Sequence, residues 1–185
     1  MCIRDSVKKL KAIPDAVRAM KRMAVKPELS TFDSMSAESD EHDFYYDAME
    51  AMSAGKSNDA INLLHESLKL DSYYVNAYQG LSSIYRKIGD TKKYHEYTLK
   101  AYEETRKTFK KWPKELSWHD IENRQYLRAL FNMATLHIEN NELEKGTELY
   151  RQLLKMCPGD GLGARYYVAA IYNGKSIEDI EELWY

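Results

Sequence analysis

The sequence predicts an all-α protein, an array of helix pairs in which each pair stacks on the next. Three observations carry that expectation: an internal period of 34 residues, large residues at every third or fourth position, and a glycine or asparagine between the halves of each unit.

The period comes first. "YYDAMEAMSAGKSNDAINLLHESLKLDS" aligns with "NAYQGLSSIYRKIGDTKKYHEYTLKAYE" so that Gly55 falls on Gly89, an offset of 34. In "RALFNMATLHIENNELEKGTELYRQLLKMCP" the same turn falls on Asn141. In "ARYYVAAIYNGKSIEDIEELW" it falls on Lys175, just after Gly174 and again 34 residues further on. From Gly89 to Asn141 is 52 residues, one period plus an insertion of 18.

Each unit reads as two amphipathic helices around a short turn. Tyr78, Leu81, Ser82 and Tyr85 share one face at helical spacing. Gly89 is expected to end that helix in the left-handed conformation, which glycine adopts most cheaply and asparagine next. The second helices carry Ala60, Ser67, Ala101 and Gly146 where helices must approach closely. A lone pair cannot bury its apolar faces, so the pairs must stack.

The insertion is not low in complexity. The helix from Thr91 is expected to run through "EETRKTFKKW" and to stop before Pro113. "SWHD", at Ser117 to Asp120, reads as a capping box opening the helix "IENRQYLRALFNMATLHIE". Two lengthened helices would then face each other as an extended hairpin, either added packing surface or a protruding partner-binding edge.

The ends differ from the array at 43–185. Residues 1–6, "MCIRDS", fit nothing downstream and are set aside as a scar of translation. Residues 7–26 hold Lys8, Lys9, Lys11, Arg18, Lys21, Arg22 and Lys26 beside an apolar face of Val7, Leu10, Ile13, Val17, Met20 and Ala24. Such a basic amphipathic helix caps the array or tethers it to an anionic membrane or nucleic acid. Residues 27–42, rich in Ser and acidic side chains, read as a linker. The last unit stops at Trp184 and Tyr185, which leaves three readings open: a longer parent protein, Trp184 folded back as a cap, or apolar surface covered by a second copy.

Composition narrows the classes. Charged residues make up 30%, hydrophobic residues 44%, and the net charge is -2 with a pI of about 6.2, so no global field marks a nucleic-acid binder. No apolar run approaches the roughly 20 residues that span a bilayer. Cys2 and Cys157 make no metal spacing. Without a secretion signal, free thiols and a cytoplasmic location are expected.

"AYQGLSSIYRKIGD", "GKSNDAINLLHESLKLD" and "YRQLLKMCP" together resemble the tetratricopeptide repeat (TPR) family, and the likeness covers residues 43–185. "ENRQYLRAL" followed by "CPGDGLGARYY" also resembles a sub-group of that family related to the suppression-of-tumorigenicity proteins. Ser72 stands where the family has a proline, Tyr94 where it has an alanine and His137 where it has a tyrosine. The resemblance implies an α-α superhelix of three pairs plus a partial or complete fourth, with a concave groove lined by the first helix of each pair. Its alignment makes Tyr45, Met49, Gln79, Arg86, Arg128, Phe131, Arg165 and Tyr172 groove candidates, and Arg124 lies one turn before Arg128 on the same face. Guanidinium groups hold carboxylates in a fork, so an acidic segment with an aromatic or aliphatic anchor would suit them. The positions matching the family's chaperone-tail clamp are Tyr45, Met49, Gly80, Arg128 and Asn132. Only Arg128 keeps the required chemistry, so a chaperone tail is not expected.

No catalytic constellation emerges. His42, His65, His95, His119 and His137 are scattered without a metal-ligand pair. "GDGLGAR" has neither a preceding strand nor a phosphate-loop lysine, and reads as a turn in which Asp160 caps the next helix. The expectation is therefore a non-catalytic scaffold or adaptor that binds an unidentified protein segment. It would have no cofactor, no metal and no nucleic-acid partner, and any membrane contact would run through residues 7–26. Self-assembly through the C-terminal end is the alternative, with tethering by the N-terminal helix a further one.

Overall fold

A computed structural model describes residues 40–176 and residue 179. The basic segment at 7–26, the linker up to residue 39, and Ile180 and Trp184 lie outside the described residues. The cap, tether and self-assembly expectations fall there.

Among the described residues there are seven helices and no strand. They are α1 (Glu41–Ser53), α2 (Ser57–Leu70), α3 (Val75–Lys87), α4 (Thr91–Thr108), α5 (Ile121–Glu139), α6 (Leu143–Met156) and α7 (Ala164–Tyr172). Helices pack in sequential pairs, α1 on α2, α3 on α4 and α5 on α6, and each pair packs on the next. None is long and apolar enough to cross a membrane. The first helix opens at Glu41, two residues before the expected start of the array at 43, because Asp40 caps it. The Asp40 carboxylate accepts from the backbone N–H groups of His42 and Asp43, and Asp43 returns the bond to the Asp40 N–H.

The turns within pairs are built alike. Gly55, Gly89, Asn141 and Gly174 have φ of 76, 79, 60 and 66°. At each, the left-handed residue's N–H donates three residues back and the following N–H donates five back, as in Asn141 to Ile138 (2.9 Å) and Glu142 to His137 (2.8 Å). The fourth turn departs from expectation: Gly174, and not Lys175, takes the left-handed position, so the last period is 33 residues (174 − 141). A residue with a Cβ is strained there, and glycine one place earlier takes the strain away. After it, Ser176 and Asp179 exchange reciprocal backbone-to-side-chain bonds of 2.8 and 3.2 Å, of the kind that opens a helix.

Small residues set how closely the helices pack. Ala60 and Ser67 are fully buried and Ala101 nearly so. A Cβ on Gly146 would meet Ile138 and come within 2.7 Å of the Ala134 carbonyl oxygen, so α5 and α6 need hydrogen at that point. A Cβ on Gly80 would likewise come within 3.0 Å of both Leu64 methyls. Hydroxyl clasps join each pair inside the core: Ser67 Oγ donates to the Glu41 carbonyl, Ser82 meets Thr98 at 2.6 Å, and Thr135 meets Tyr150 at 2.7 Å. These bonds satisfy polar groups that would be costly to bury unpaired.

Two apolar clusters fill the interior. One gathers Ala48, Leu64, Leu81 and Ile84 with Met133 and Leu136 of α5. The other gathers Leu127, Leu130, Tyr150 and Leu153 with Val75 of α3. Each fully buried Leu or Ile contributes about 1.5–3 kcal/mol. Helices α3 and α5 thus serve both clusters, and Tyr102 and Leu149 pack against both.

The insertion differs from its expected form. Helix α4 ends at Thr108, where Phe109 leaves helical geometry, and α5 begins only at Ile121. Residues 109–120 run as a non-helical strap. Phe109 meets Tyr126 edge to face at 5.0 Å, Trp112 lies 6.4 Å from Tyr102, and Leu116 is buried with its N–H donating to the Met156 carbonyl at 2.8 Å. Continuing the helix would have carried these side chains away from the core, and their burial outweighs one more helical turn. Ser117 makes no capping box: its hydroxyl accepts from the His119 N–H, while the N-cap position is Asp120, without a side-chain cap.

Candidate functional site

The first helices α1, α3 and α5 lie side by side, each touching the next. The seam between α3 and α5 is laced by side chains that the sequence had offered as partner-binding. Gln79 Nε2 donates to the Gln125 carbonyl at 2.7 Å. Arg86 Nη2 donates to Glu139 Oε1 at 2.9 Å, and the other Glu139 oxygen accepts from the Tyr94 hydroxyl at 2.7 Å. Glu139 therefore ties α3, α4 and α5 together, and Arg86 is spent largely on that tie.

Several other candidates are drawn into packing. Met49 is half-buried, with its methyl carbon 3.2 Å from where a Gly80 Cβ would stand. Phe131 is half-buried and meets Tyr150 at 5.2 Å and Tyr167 at 5.0 Å, both edge to face. Tyr45 is half-buried against Tyr46 and Tyr74. Burial pushes its hydroxyl pKa up, and the positive charge of Arg128 pulls the other way.

Arg165 is held by its own turn. Asp160, whose side chain is 2% exposed, accepts from the Ala164 N–H (2.7 Å), the Arg165 N–H (3.1 Å) and Arg165 Nε (2.8 Å). That is the capping role expected of Asp160, with Arg165 added to it. Tyr172 is exposed and sits beside Arg151 of α6, where an open cleft is lined by Thr147, Glu148, Arg151 and Tyr172. It is turned toward a second helix.

The remaining two arginines share one support. Arg124 Nε donates to the Trp118 carbonyl at 2.9 Å, and its guanidinium carbon lies 5.2 Å from the centre of the Trp118 ring. Arg128, exposed one turn further along α5, lies 5.4 Å from the same ring. Neither forms an ion pair among the described residues. The Trp118 ring is pinned in turn by the loop after α6, where a Cβ on Gly161 would fall 2.5 Å from it. The sequence offered Trp118 only as part of the expected capping box "SWHD"; the Trp-Gly spacing gives no local sign that these residues meet. Arg106, on α4, is half-buried over Trp112 at 4.5 Å and donates to the Lys110 carbonyl.

Other chemistry is sparse. Among the described residues, the metal-ligand types that cluster are Asp40, Glu41 and His42, within 4.8 Å of one another, and there Asp40 is already the cap of α1. His65 has its pKa lowered, chiefly by burial and then by Lys100, Lys69 and Lys93. It meets the Tyr97 ring edge on at 6.2 Å, which is packing.

No model of a known protein family matches the chain, and no curated protein matches it either.

Proposed function

We propose that the chain is a non-catalytic scaffold of the TPR kind, a superhelical array that binds a partner's segment across α1, α3 and α5. The observation carrying this reading is the side-by-side placement of those three helices, so that one extended segment laid across them touches all three. The period, the shared turn geometry and the small residues between paired helices support the repeat architecture. Exposed Ser83 and Arg128 keep polar groups available on that side. The partner is a protein segment, and the setting proposed is cytoplasmic.

Peptide display against the full chain tests this. Selected peptides should bind the variant Ser83→Tyr about tenfold more weakly, since a bulky ring on α3 obstructs the shared face. Lys92→Ala, on the exposed side of α4, should bind them unchanged. Peptides indifferent to Ser83→Tyr would sink the reading.

A further inference from the structure

Of the four arginines on first helices, two are consumed internally and two are not. Arg86 is paired with Glu139 and Arg165 with Asp160. Among the described residues Arg124 and Arg128 form no ion pair; Arg124 donates to the Trp118 carbonyl, and both lie beside the Trp118 ring. The nearest acidic side chains in sequence do not neutralise them: Asp120 accepts from Asn123 Nδ2 at 3.2 Å, and neither Asp120 nor Glu122 pairs with an arginine.

A guanidinium beside an indole ring retains N–H donors that the ring does not use. The ring is itself partly buried. It lies in a seam with Leu127, Leu153, Cys157 and Leu162, over a glycine that leaves no room for a side chain. Arg124 is tethered to the Trp118 carbonyl before any ligand arrives, which lowers the entropy lost on binding. Arg124 and Arg128 stand four residues apart, about 6 Å along α5. Side chains two residues apart on an extended segment project to one side at about 7 Å.

We propose that Trp118, Arg124 and Arg128 form the anchoring subsite for an acidic peptide, with one carboxylate on each guanidinium from side chains two residues apart. The inference rests on the scaffold reading and names the chemistry of its partner. Each pairing is a charge-assisted fork, the geometry in which guanidinium recognises carboxylate best. Trp118 acts as a positioning residue that holds the fork without touching the carboxylates.

Fluorescence anisotropy on the full chain, with a labelled hexaglutamate peptide and its hexaglutamine counterpart, tests the subsite. Hexaglutamate should bind about tenfold more tightly, and added salt should weaken it. Arg128→Ala and Arg124→Ala should each lower its affinity about tenfold. Trp118→Leu retains both charges and should still lower it severalfold, because the forks lose their support. Arg128→Lys, which keeps charge and loses the fork, should fall between wild type and Arg128→Ala, and Lys92→Ala should match wild type. Thermal melting of each variant separates lost binding from lost folding, and exposed Arg128 gives the cleanest case. Equal binding of the two peptides, or hexaglutamate binding untouched by both arginine variants, overturns the proposal. So does displacement of the peptide by oligouridylate at lower concentration, which would make the site one for nucleic acid. Displayed peptides that need the shared face but ignore both arginines would remove this subsite and leave the scaffold standing. Arginine-dependent hexaglutamate binding with displayed peptides blind to Ser83→Tyr would do the reverse.

Discussion

The turns inside helix pairs and the connections between pairs obey different rules. Gly55, Gly89, Asn141 and Gly174 repeat one conformation and one pair of backbone bonds, although the sequences around them share few residues. The connections at 71–74, 109–120 and 157–163 differ in length; the first and last open on the same backbone turn, with Tyr74 N–H donating to the Asp71 carbonyl and Asp160 N–H to the Cys157 carbonyl, and then diverge. In the first, Asp71 accepts from the Tyr73 N–H; in the last, Asp160 gathers three donors. The strap is fixed by Phe109, Trp112, Leu116 and Trp118 against the core. A turn within a pair is thus a local decision of the backbone, whereas the strap is settled by what its side chains find elsewhere.

Substitutions can break that contrast at either side. The largest loss is expected from Leu116→Ala, which empties a buried position in the strap and should cost about 2–5 kcal/mol. Urea denaturation would show it as a lower midpoint at an unchanged slope. Gly161→Ala comes next, at about 1–3 kcal/mol, because the new methyl collides with the Trp118 ring. The same variant should weaken hexaglutamate binding, since displacing the ring unseats both guanidinium groups. Gly89→Ala is the smallest, about 1–2 kcal/mol, and arises from left-handed strain alone, because nothing lies within 4 Å of the added carbon. Should Gly89→Ala prove as costly as Leu116→Ala in the same titration, the claimed division between local turns and tertiary connections would fail.

The same division explains what could be read beforehand. Gly89, Asn141 and the small residues Ala60, Ala101 and Gly146 act through backbone geometry and close approach, and those leave a mark at fixed spacing. The end of α4 did not show itself, because a run such as "EETRKTFKKW" has good helix formers, and only the core decides that Phe109 turns inward. Among the candidate residues, type was legible but state was not. Nothing near Arg86 in sequence announces Glu139, 53 residues away, and nothing near Trp118 announces Gly161. Arg165 was placed by a 34-residue period that the fourth turn shortens by one, which rotates it by about 100° around its helix.

The strap is the longest non-helical stretch between described helices, and it looks like a place to divide the chain. The two apolar clusters forbid that. Met133 and Leu136, beyond the strap, belong with Leu64 and Ile84 before it, while Val75, before it, belongs with Leu130 and Tyr150 after it. A backbone cut between Lys110 and Glu115 would sever the polymer without separating the interior. The two fragments would remain halves of one folding unit, each exposing apolar surface that only the other can cover.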